Sequence, residues 1–416
     1  MDVRKISNEE FSEFAKNYET KSIYQTAEYS FIMAKQQTNT LFVGIFDNNK
    51  IIGASFIYIQ NLDGFDYAYA PHGFLIDYTN QKLLYEFTKG VSKILKKMNV
   101  IAIKITPLIT KNIYNSKKEI IYSNPNYDQI FKNLKKEGYY HLGYNNNFEG
   151  LKPRFYAEID LTKNIHEIFK NVKDEYKTKI RSANRNGITI YKGNEQTVKY
   201  MYEQTKRYYP RDQKYFEDSY HYFSQNNSLE YFYAKLDVNN FLNYQQKNYQ
   251  ELQIKTEKYN QDFIRKNKLS SNNALSKKIF VENQLNIAHN NLIEATNIIS
   301  QYPMGLVIAA VMTIKYKDTV FFLIDGYKPE YKRFNAKHLL IWQLIEKYKK
   351  EGFKKINIGG LPNIKEKNDY EGLIQFKLNF GANVIEYAGD FELITNSAKY
   401  FLYRNASPLR KLLKQK

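Results

Sequence analysis

Two apolar stretches decide the fold: IIGASFIYI at residues 51–59 and LVIAAVMTI at residues 306–314, which start 255 positions apart. Each is predicted to be a β-strand, because it is a continuous apolar run of strand length. Each is followed in the same order by a second strand, a helix and a short third strand: residues 67–75, 83–97 and 100–105 in the first half, and residues 320–326, 338–350 and 355–358 in the second. A nearly constant offset through four elements indicates a duplicated α/β domain, with helices flanking a mixed sheet in each half.

The second copy is interrupted by a long segment without helix breakers. Residues 211–302 contain neither Gly nor Pro, which favours continuous helix. Apolar positions step by three or four over residues 249–263 and again over residues 281–302, and a polar turn lies between them at residues 269–273. We therefore predict an antiparallel coiled-coil hairpin whose legs, each about 29 residues long, extend on the order of 40 Å. A hairpin packed flat on the globular body is the alternative, and the narrow apolar stripe argues against it.

These patterns divide the chain into four parts. The first domain is expected at residues 1–152, and the second at residues 153–238 and 303–395. The coiled-coil arm, inserted in the second domain, covers residues 239–302, and a basic C-terminal helix covers residues 396–416.

The composition is that of a folded, basic protein. Lys and Arg number 62 against 43 Asp and Glu, a net charge of +19, and 43% of the residues are apolar, which excludes wholesale disorder. The absence of Cys excludes disulfides, thiolate metal sites and cysteine nucleophiles. The first thirty residues hold no apolar core of signal-peptide length, and the longest apolar run, residues 304–314, is shorter than the ~20 residues that span a bilayer. We therefore expect a cytoplasmic protein.

The sequence lacks the motifs of several kinds of catalytic site. The strand, helix and strand repeats resemble the acetyltransferase-like (GNAT) fold, but residues 69–75 and 332–337 lack the two spaced glycines of a phosphate loop, which disfavours acyl-CoA as the donor. The six His have no metal-binding spacing, so no metal is expected, and neither a GxSxG elbow nor a Walker A loop is present. An enzyme with this inventory works by positioning and polar stabilisation of a substrate that is already activated.

Short motifs run through nearly the whole chain in a distinctive order. The first half opens with Gln25, Tyr29 and Lys35, and the second half opens with PRFY at residues 153–156. IDL at residues 159–161 comes next, directly followed by a basic helix, and then the segment of residues 205–216 and the inserted helices. The last motifs are NIGG at residues 357–360, FKLNFG at residues 376–381 and YAGD at residues 387–390. In order and spacing the chain resembles the Fem/MurM family of aminoacyltransferases, which build the cross-bridges of peptidoglycan.

The resemblance implies two GNAT-like domains and a group transfer. An aminoacyl group would pass from aminoacyl-tRNA, the donor substrate, to the stem-peptide amine of a peptidoglycan precursor, either lipid II or a UDP-linked precursor. Because the donor is already an ester, neither a cofactor nor a covalent enzyme intermediate is needed. An acyl-CoA-dependent N-acyltransferase and a non-catalytic relative that binds tRNA or precursor are the alternatives.

The same resemblance assigns residues to the binding of the precursor. Lys35 and Arg211 are expected to contact its diphosphate, because a cation and a planar guanidinium suit phosphate oxygens. Tyr215 follows Arg211 by four residues, so on a helix both would face the same cleft. Packing in the core is the alternative for Tyr215.

Three residues of the second half are candidates for catalysis, in the case of Lys377, or for substrate binding, in the case of Gly359 and Gly360. Lys377 resembles a family lysine that lies near the reacting carbonyl, where an ammonium stabilises an oxyanion. Gly359 and Gly360 follow a predicted strand, where they either allow a close approach of backbone to substrate or form a turn.

Two positions depart from the pattern of the family. Many members carry Asp before Pro at the end of the last strand of the first domain, and this chain has Thr106 before Pro107. Thr106 thus occupies the candidate catalytic position, but it supplies no carboxylate base. An Arg-Gly-Pro segment of many relatives is HGF at residues 72–74. Both changes lie in the expected precursor-binding domain and leave open a different acceptor or a divergent paralogue.

Two basic segments account for much of the positive charge. The first is a strip that could contact the phosphates of a tRNA acceptor end, or could be a solvated helix face: Lys170, Lys173, Lys177, Arg181 and Arg185. The second, residues 397–416, combines basic and apolar side chains without an acid. It could lie on the anionic inner face of the membrane, or dock on the body of the protein.

Overall fold

The computed structural model describes residues 1–20, 22–36, 38–145, 147–148, 152–207, 209, 211–266 and 271–413, with side chains to residue 405. The strands are β1 (Asp2–Lys5), β2 (Asn39–Asp47), β3 (Lys50–Leu62), β4 (Phe65–Ala70), β5 (Ala102–Ile105), β6 (Thr110–Tyr114), β7 (Ile120–Ser123), β8 (Tyr140–His141), β9 (Phe155–Asp160), β10 (Ile188–Lys192), β11 (Leu229–Leu236), β12 (Leu306–Tyr316), β13 (Thr319–Tyr327), β14 (Lys355–Leu361), β15 (Asn383–Tyr387) and β16 (Phe391–Ile394). The helices are α1 (Asn8–Asn17), α2 (Ala27–Lys35), α3 (Gln81–Lys97), α4 (Tyr127–Lys136), α5 (Ile165–Asn171), α6 (Asp174–Arg185), α7 (Lys199–Thr205), α8 (Gln213–Ser224), α9 (Val238–Arg265), α10 (Asn272–Gln301), α11 (Ala336–Lys350), α12 (Glu371–Leu378) and α13 (Ser397–Leu413).

The first sheet has the strand order β1-β2-β3-β4-β5-β16-β8 within the described ranges. Strands β2, β3 and β4 are antiparallel, whereas β5 runs parallel to β4 because α3 crosses over between them. Helix α3 begins after Asn80, whose side chain accepts a hydrogen bond from the backbone N–H of Leu83. Its buried side chains recur every three or four residues and pack on the sheet: Leu84, Phe87, Val91 and Leu95.

The second sheet repeats this arrangement, with the order β10-β11-β12-β13-β14-β9-β15-β6-β7 in the same part of the chain. Strands β11, β12 and β13 are antiparallel, and β14 runs parallel to β13 across α11. Helix α11 buries Leu340, Leu344 and Tyr348 in the core of this half. The elements β3, β4, α3 and β5 thus correspond to β12, β13, α11 and β14, so the predicted mixed α/β fold with a duplicated unit is confirmed.

The sheets exchange strands across the domain boundaries drawn from the sequence. β6 and β7, which precede residue 152, pair within the second sheet beside β15. β16, which follows β15 near the C-terminus, pairs with β5 and β8 of the first sheet. The chain therefore passes from one sheet to the other several times, which ties the two halves together.

Helices α9 and α10 pack against each other as an antiparallel hairpin between β11 and β12. The ring of Tyr249 contacts the ring of His289, and the hydroxyl of Tyr259 donates a hydrogen bond to the carbonyl of Ala274. Of the turn predicted at residues 269–273, residues 269 and 270 lie outside the described residues.

A third cluster of buried side chains joins the two halves. The first half contributes Phe11, Tyr29 and Phe56, and the second contributes Phe216 and Tyr231. This cluster holds α2 against α8 and so fixes the position of the side chains at their ends. Among the helices of the described ranges, none is long and apolar enough to cross a membrane.

Candidate active site

A cavity of about 360 Å³ lies between the two halves of the protein. The first half contributes Tyr24 and His72 to its wall, and the second half contributes Gly359 and Gly360. Lys152, in the segment that joins the halves, also lines it. We refer to it as the glycine cavity.

A β-bulge places the two glycines in the wall of this cavity. β14 pairs with β9 as far as Asn357, and the register then slips by one residue before Gly360 pairs with Tyr156. Gly359 adopts a φ of +91° at the bulge, and its backbone N–H donates a 2.9 Å hydrogen bond to Asn357 Oδ1. At Gly360 a side chain would not fit, because a Cβ there would lie 2.2 Å from Pro153 Cγ.

Lys377 lies directly behind the bulge. Its residue is 7% exposed on α12, and its Nζ donates a 2.8 Å hydrogen bond to the carbonyl oxygen of Gly360. A Cβ at Gly359 would lie 3.2 Å from the same Nζ, so the absence of a side chain there leaves room for the amine. Burial lowers the pKa of Lys377 to about 7, while the nearby Asp325 opposes that shift and Lys337 adds to it.

Lys152 is a second amine at the glycine cavity. Its Nζ lies 3.2 Å from the centroid of the Tyr24 ring and 5.7 Å from that of Tyr29. Burial and the positive charge of Arg211 together lower the pKa of Lys152 to about 7.

Thr106 contacts the glycine cavity only indirectly, through His72. Its Oγ1 accepts a 2.8 Å hydrogen bond from the backbone N–H of His72 and lies 3.1 Å from the hydroxyl of Tyr69. His72 adopts a φ of +59°, and its ring nitrogens hydrogen-bond Ser22 Oγ at 2.9 Å and the Tyr156 hydroxyl at 3.1 Å. Burial holds the pKa of His72 well below its usual value, so the ring is neutral. Thr106 thus positions His72, and His72 lines the cavity.

Two of the predicted precursor-binding residues line a groove of about 250 Å³ between α2 and α8, which we call the α2–α8 groove, and Arg211 lies beside it. Lys35 and Tyr215 line it, and the guanidinium carbon of Arg211 lies 5.0 Å from the centroid of the Tyr215 ring. The helical spacing predicted for Arg211 and Tyr215 is wrong, because α8 begins at Gln213 with Asp212 as its cap. The two side chains still meet, since the guanidinium stacks back over the ring.

A third cavity, of about 390 Å³, lies at the N-terminus of α11 and is named the α11 cavity. Lys179, Lys332 and Lys337 line it together with aromatic rings. His338 is also in its wall, and within the described residues neither of its ring nitrogens has a hydrogen-bond partner. Burial, reinforced by the neighbouring lysines, lowers the pKa of His338 to about 4.

Lys377 connects the walls of the glycine cavity and the α11 cavity. Its Nζ binds Gly360, which lines the first, while the preceding residue, Phe376, lines the second. Lys337 of the α11 cavity forms an ion pair with Asp325, the carboxylate that favours the charged form of Lys377. The buried amine of Lys377 therefore contacts the wall of the glycine cavity, and the residue before it lines the α11 cavity.

The predicted basic strip lies on α5, on α6 and at Lys173 between them, beside the α11 cavity. Lys177 is half-buried and pairs with Asp174 at 2.9 Å. Helix α6 also supplies Tyr176 and Lys179 to the α11 cavity, so the strip borders that cavity. The remaining cations of the strip are exposed: Lys170, Lys173, Arg181 and Arg185.

Sequence reasoning missed Lys152, Asp325 and Lys337. Lys152 immediately precedes the PRFY motif, and this position could have indicated a role for it. The sequence does not show, however, that the folded chain buries this lysine. Lys337 is the last residue of the segment 332–337. That segment lacks the spaced glycines of a phosphate loop, but this pattern does not indicate what its cations do. Within the described ranges no group of three His, Asp or Glu side chains could hold a metal ion.

Comparison with known proteins places this geometry in a family. The sequence model of the FemAB family matches residues 6–407. Aminoacyltransferase FemA of Staphylococcus epidermidis is 26% identical over 423 residues, covering 99% of this chain and all of the relative. Lipid II:glycine glycyltransferase of Staphylococcus haemolyticus is 21% identical, covering 98% of this chain and 96% of that one.

The fold is also similar to a solved structure. The crystal structure of FemX superposes with a TM-score of 0.73 at 20% identity, covering 97% of this chain and 99% of that chain. The family model spans nearly the whole sequence, and the similar fold extends over the same length. This protein therefore belongs to the FemAB family.

Proposed function

We propose that this protein is an aminoacyltransferase that moves an amino acid from aminoacyl-tRNA to the stem-peptide amine of a peptidoglycan precursor, and so builds the interpeptide cross-bridge. The names of its relatives, an aminoacyltransferase and a lipid II:glycine glycyltransferase, support this class of reaction. The observation that carries the proposal is the contact of the buried Lys377 amine with Gly360 in the wall of the glycine cavity, next to Phe376 in the wall of the α11 cavity. A transfer between two bound substrates requires their reacting groups to meet at one point.

The acceptor is assigned to the α2–α8 groove and the glycine cavity. Lys35 and Arg211 bind the diphosphate, since Lys35 lines the groove and the guanidinium of Arg211 lies over Tyr215 in its wall. Tyr209 lines the glycine cavity, and its ring centroid lies 6.0 Å from the guanidinium of Arg211. A precursor held by its diphosphate at Arg211 therefore has a short path for its stem peptide into the glycine cavity.

The donor is assigned to the basic strip and the α11 cavity. The strip contacts phosphates of the tRNA acceptor end, and the cavity, with its lysines and aromatic rings, receives the terminal nucleotide and the ester. The ester carbonyl then lies near Lys377. Its ammonium stabilises the oxyanion that forms when the acceptor amine attacks.

The site takes either a lipid-linked or a nucleotide-linked precursor, and α13 favours the lipid-linked one. Phe401 and Leu402 are 68% and 56% exposed on this helix beside the exposed Arg404. Exposed apolar side chains next to cations suit the surface of an anionic membrane. We therefore include peripheral contact with the inner membrane face in the proposal.

The experiment that tests the function combines the wild-type protein with each of the twenty charged tRNAs and with two acceptors. One acceptor is lipid II in anionic vesicles, and the other is the UDP-linked pentapeptide. We expect transfer of one kind of amino acid, with the lower KM for lipid II. Binding of tRNA and precursor without transfer from any donor would favour the non-catalytic alternative.

We expect Arg211→Ala to raise the KM for the precursor by about 10- to 100-fold, because a hydrogen bond to a charged group contributes ~1.5–3 kcal/mol. Arg211→Lys restores part of the affinity, since it keeps the charge and loses the planar fork. The KM for aminoacyl-tRNA stays unchanged in both variants. Lys136→Ala, at an exposed position on α4, is the control. Unchanged precursor KM in both Arg211 variants would contradict the assignment.

The basic strip is tested by the salt dependence of tRNA binding. Replacement of Lys170, Lys173, Arg181 and Arg185 by Gln is expected to reduce the slope of log Kd against log salt by about 0.7 for each tRNA phosphate that is no longer neutralised. The control replaces the exposed Lys89, Lys93 and Lys96 of α3 by Gln. Equal slopes in the two variants would show that the strip is a solvated helix face.

A further inference from the structure

The reaction needs a proton acceptor at the glycine cavity, and the usual candidates there are occupied. The hydroxyl of Thr106 accepts the backbone N–H of His72. Both ring nitrogens of His72 are hydrogen-bonded, to Ser22 and to Tyr156. Burial raises the pKa values of the lining tyrosines, which therefore stay protonated: Tyr24, Tyr156 and Tyr387.

Lys152 is placed differently from each of these groups. Its Nζ lies at the cavity over the face of Tyr24, and among the described residues no carboxylate lies within ion-pairing distance of it. The groups that face it are cationic or neutral: Arg211, His72, Tyr24, Tyr29, Tyr156 and Tyr209. Burial and the charge of Arg211 favour the free amine, whose lone pair is then available to accept a proton.

Lys152, which lines the glycine cavity, and Lys377, which lies behind its wall, differ in their charged neighbours. Asp325 favours the charged form of Lys377, whereas Arg211 disfavours the charged form of Lys152. Burial lowers the pKa of both amines to about 7, so their neighbours distinguish their roles. The amine that has a carboxylate nearby stabilises the oxyanion as an ammonium, and the amine without one accepts the proton.

We infer that Lys152 is the general base of the transfer: its neutral amine accepts the proton of the attacking acceptor amine and returns it to the leaving ribose oxygen. The inference rests on the proposed function, and it supplies the base that Thr106 lacks.

The step balances without a further reactant. The lone pair of the acceptor nitrogen forms the bond to the ester carbonyl carbon, the carbonyl π electrons move to oxygen, and the N–H proton passes to Lys152 Nζ. When the intermediate collapses, the bond to the ribose oxygen breaks, its electron pair stays on that oxygen, and Lys152 returns the proton. The products are an amide and a tRNA with a free hydroxyl. The face of Tyr24 stabilises the transient ammonium.

The pH profile of transfer tests this role. A base must be deprotonated, so kcat/KM of the wild type falls as the pH drops below the pKa of Lys152, about 7. Lys152→Met is expected to lower kcat/KM by about 100-fold or more and to lose this acid limb. In Lys152→Ala, added ethylamine restores the rate at least tenfold, because a small amine fits the space of the side chain. Lys377→Ala is not rescued in this way.

Lys136→Met, at an exposed surface position, is the matched control and keeps both the rate and the profile. A Lys152→Met variant within threefold of the wild type, with the acid limb intact, would overturn the inference while leaving the proposed function standing. A folded Lys152→Met variant that loses activity but shows the wild-type limb would assign Lys152 a positioning role.

A second measurement does not depend on turnover. In the protein with isotopically labelled lysines, the NMR signal of Lys152, assigned by its loss in Lys152→Met, is expected to titrate near pH 7. Titration near the ordinary lysine value, about 10.4, would overturn the inference. A wild-type protein that shows the low titration but transfers no amino acid would contradict the proposed function, and the assignment of the base would fall with it.

Discussion

Lys377→Met is expected to lower the rate of transfer by about 100- to 1,000-fold, the loss that follows removal of one oxyanion-stabilising donor. The amine is fixed against the carbonyl of Gly360 and is buried, so little reorganisation is needed when charge develops on the substrate. Methionine has a similar length but cannot donate a hydrogen bond. Single-turnover transfer with saturating donor and acceptor measures this chemical step.

The pH dependence of this variant provides a separate check. Lys377 acts as an ammonium, so the wild-type rate falls as the pH rises above its pKa of about 7. The variant lacks this alkaline limb. Together with the acid limb assigned to Lys152, the wild type is expected to show a bell-shaped profile centred near neutral pH.

Unfolding does not explain the expected loss, because Asp325 keeps its ion pair with Lys337, and the lost hydrogen bond to Gly360 is offset by no longer burying an amine. We therefore expect Lys377→Met to have a Tm close to that of the wild type. Lys350→Met, at the exposed end of α11, is the control for removal of one charge. A Lys377→Met rate within threefold of the wild type would contradict the assignment.

Glu386→Ala is expected to destabilise the protein by about 3–5 kcal/mol, the cost of leaving a buried ion pair without one partner. The side chain of Glu386 is fully buried, and that of Arg154 is 3% exposed. Glu386 accepts hydrogen bonds from Arg154 at 3.0 Å, from the Tyr114 hydroxyl at 2.6 Å and from Asn112 at 3.0 Å, and Lys365 lies 2.9 Å away. This network ties β15 to β6 and to the PRFY segment, whose Pro153 packs on Gly360. Urea unfolding measures the loss.

The destabilisation depends on pH with a definite sign. Burial acts to raise the pKa of Glu386, but hydrogen bonds from Tyr114, Asn112 and Lys365 outweigh it, so the pKa in the folded protein is lowered. The stabilisation is present above the unfolded pKa of about 4.3 and is lost as the pH falls through the lower folded pKa. The difference between the wild type and Glu386→Ala therefore shrinks in acid.

Glu371→Ala is the matched control for removal of a carboxylate. Its side chain is 46% exposed and pairs with Lys118 at 3.4 Å, so we expect a loss of about 1 kcal/mol or less. Equal losses at Glu371 and Glu386 would show that the buried network contributes no more than a surface pair.

The duplication could be predicted from sequence because each strand and helix of the repeat is long enough to show its own pattern. The apolar runs at residues 51–59 and 306–314 became β3 and β12, and the crossover helices followed at the expected offset. The exchange of strands could not be predicted. β6 and β7 are five and four residues long, and nothing in such short segments specifies which sheet they join.

The site was partly predictable for a similar reason. Arg211, Tyr215 and Lys377 lie in motifs with a recognisable order, and the structure brings the first two together and places the third beside the glycines. Lys152 is one of 62 Lys and Arg residues, and what distinguishes it is the ring of Tyr24 and the charge of Arg211, both distant in sequence. Thr106 was identified by its position, but its contact with His72 depends on a turn of the folded chain.

In the proposed function, Lys377 stabilises the oxyanion while an aminoacyl group passes from the α11 cavity to a stem peptide in the glycine cavity. The most direct measurement is the mass of the stem peptide recovered from lipid II after incubation with the wild-type protein and a pool of charged tRNAs. We expect a gain of one or more amino-acid residues on the stem-peptide amine with the wild type, and far less product with Lys377→Met in the same time. A stem peptide of unchanged mass with every charged tRNA would contradict the account.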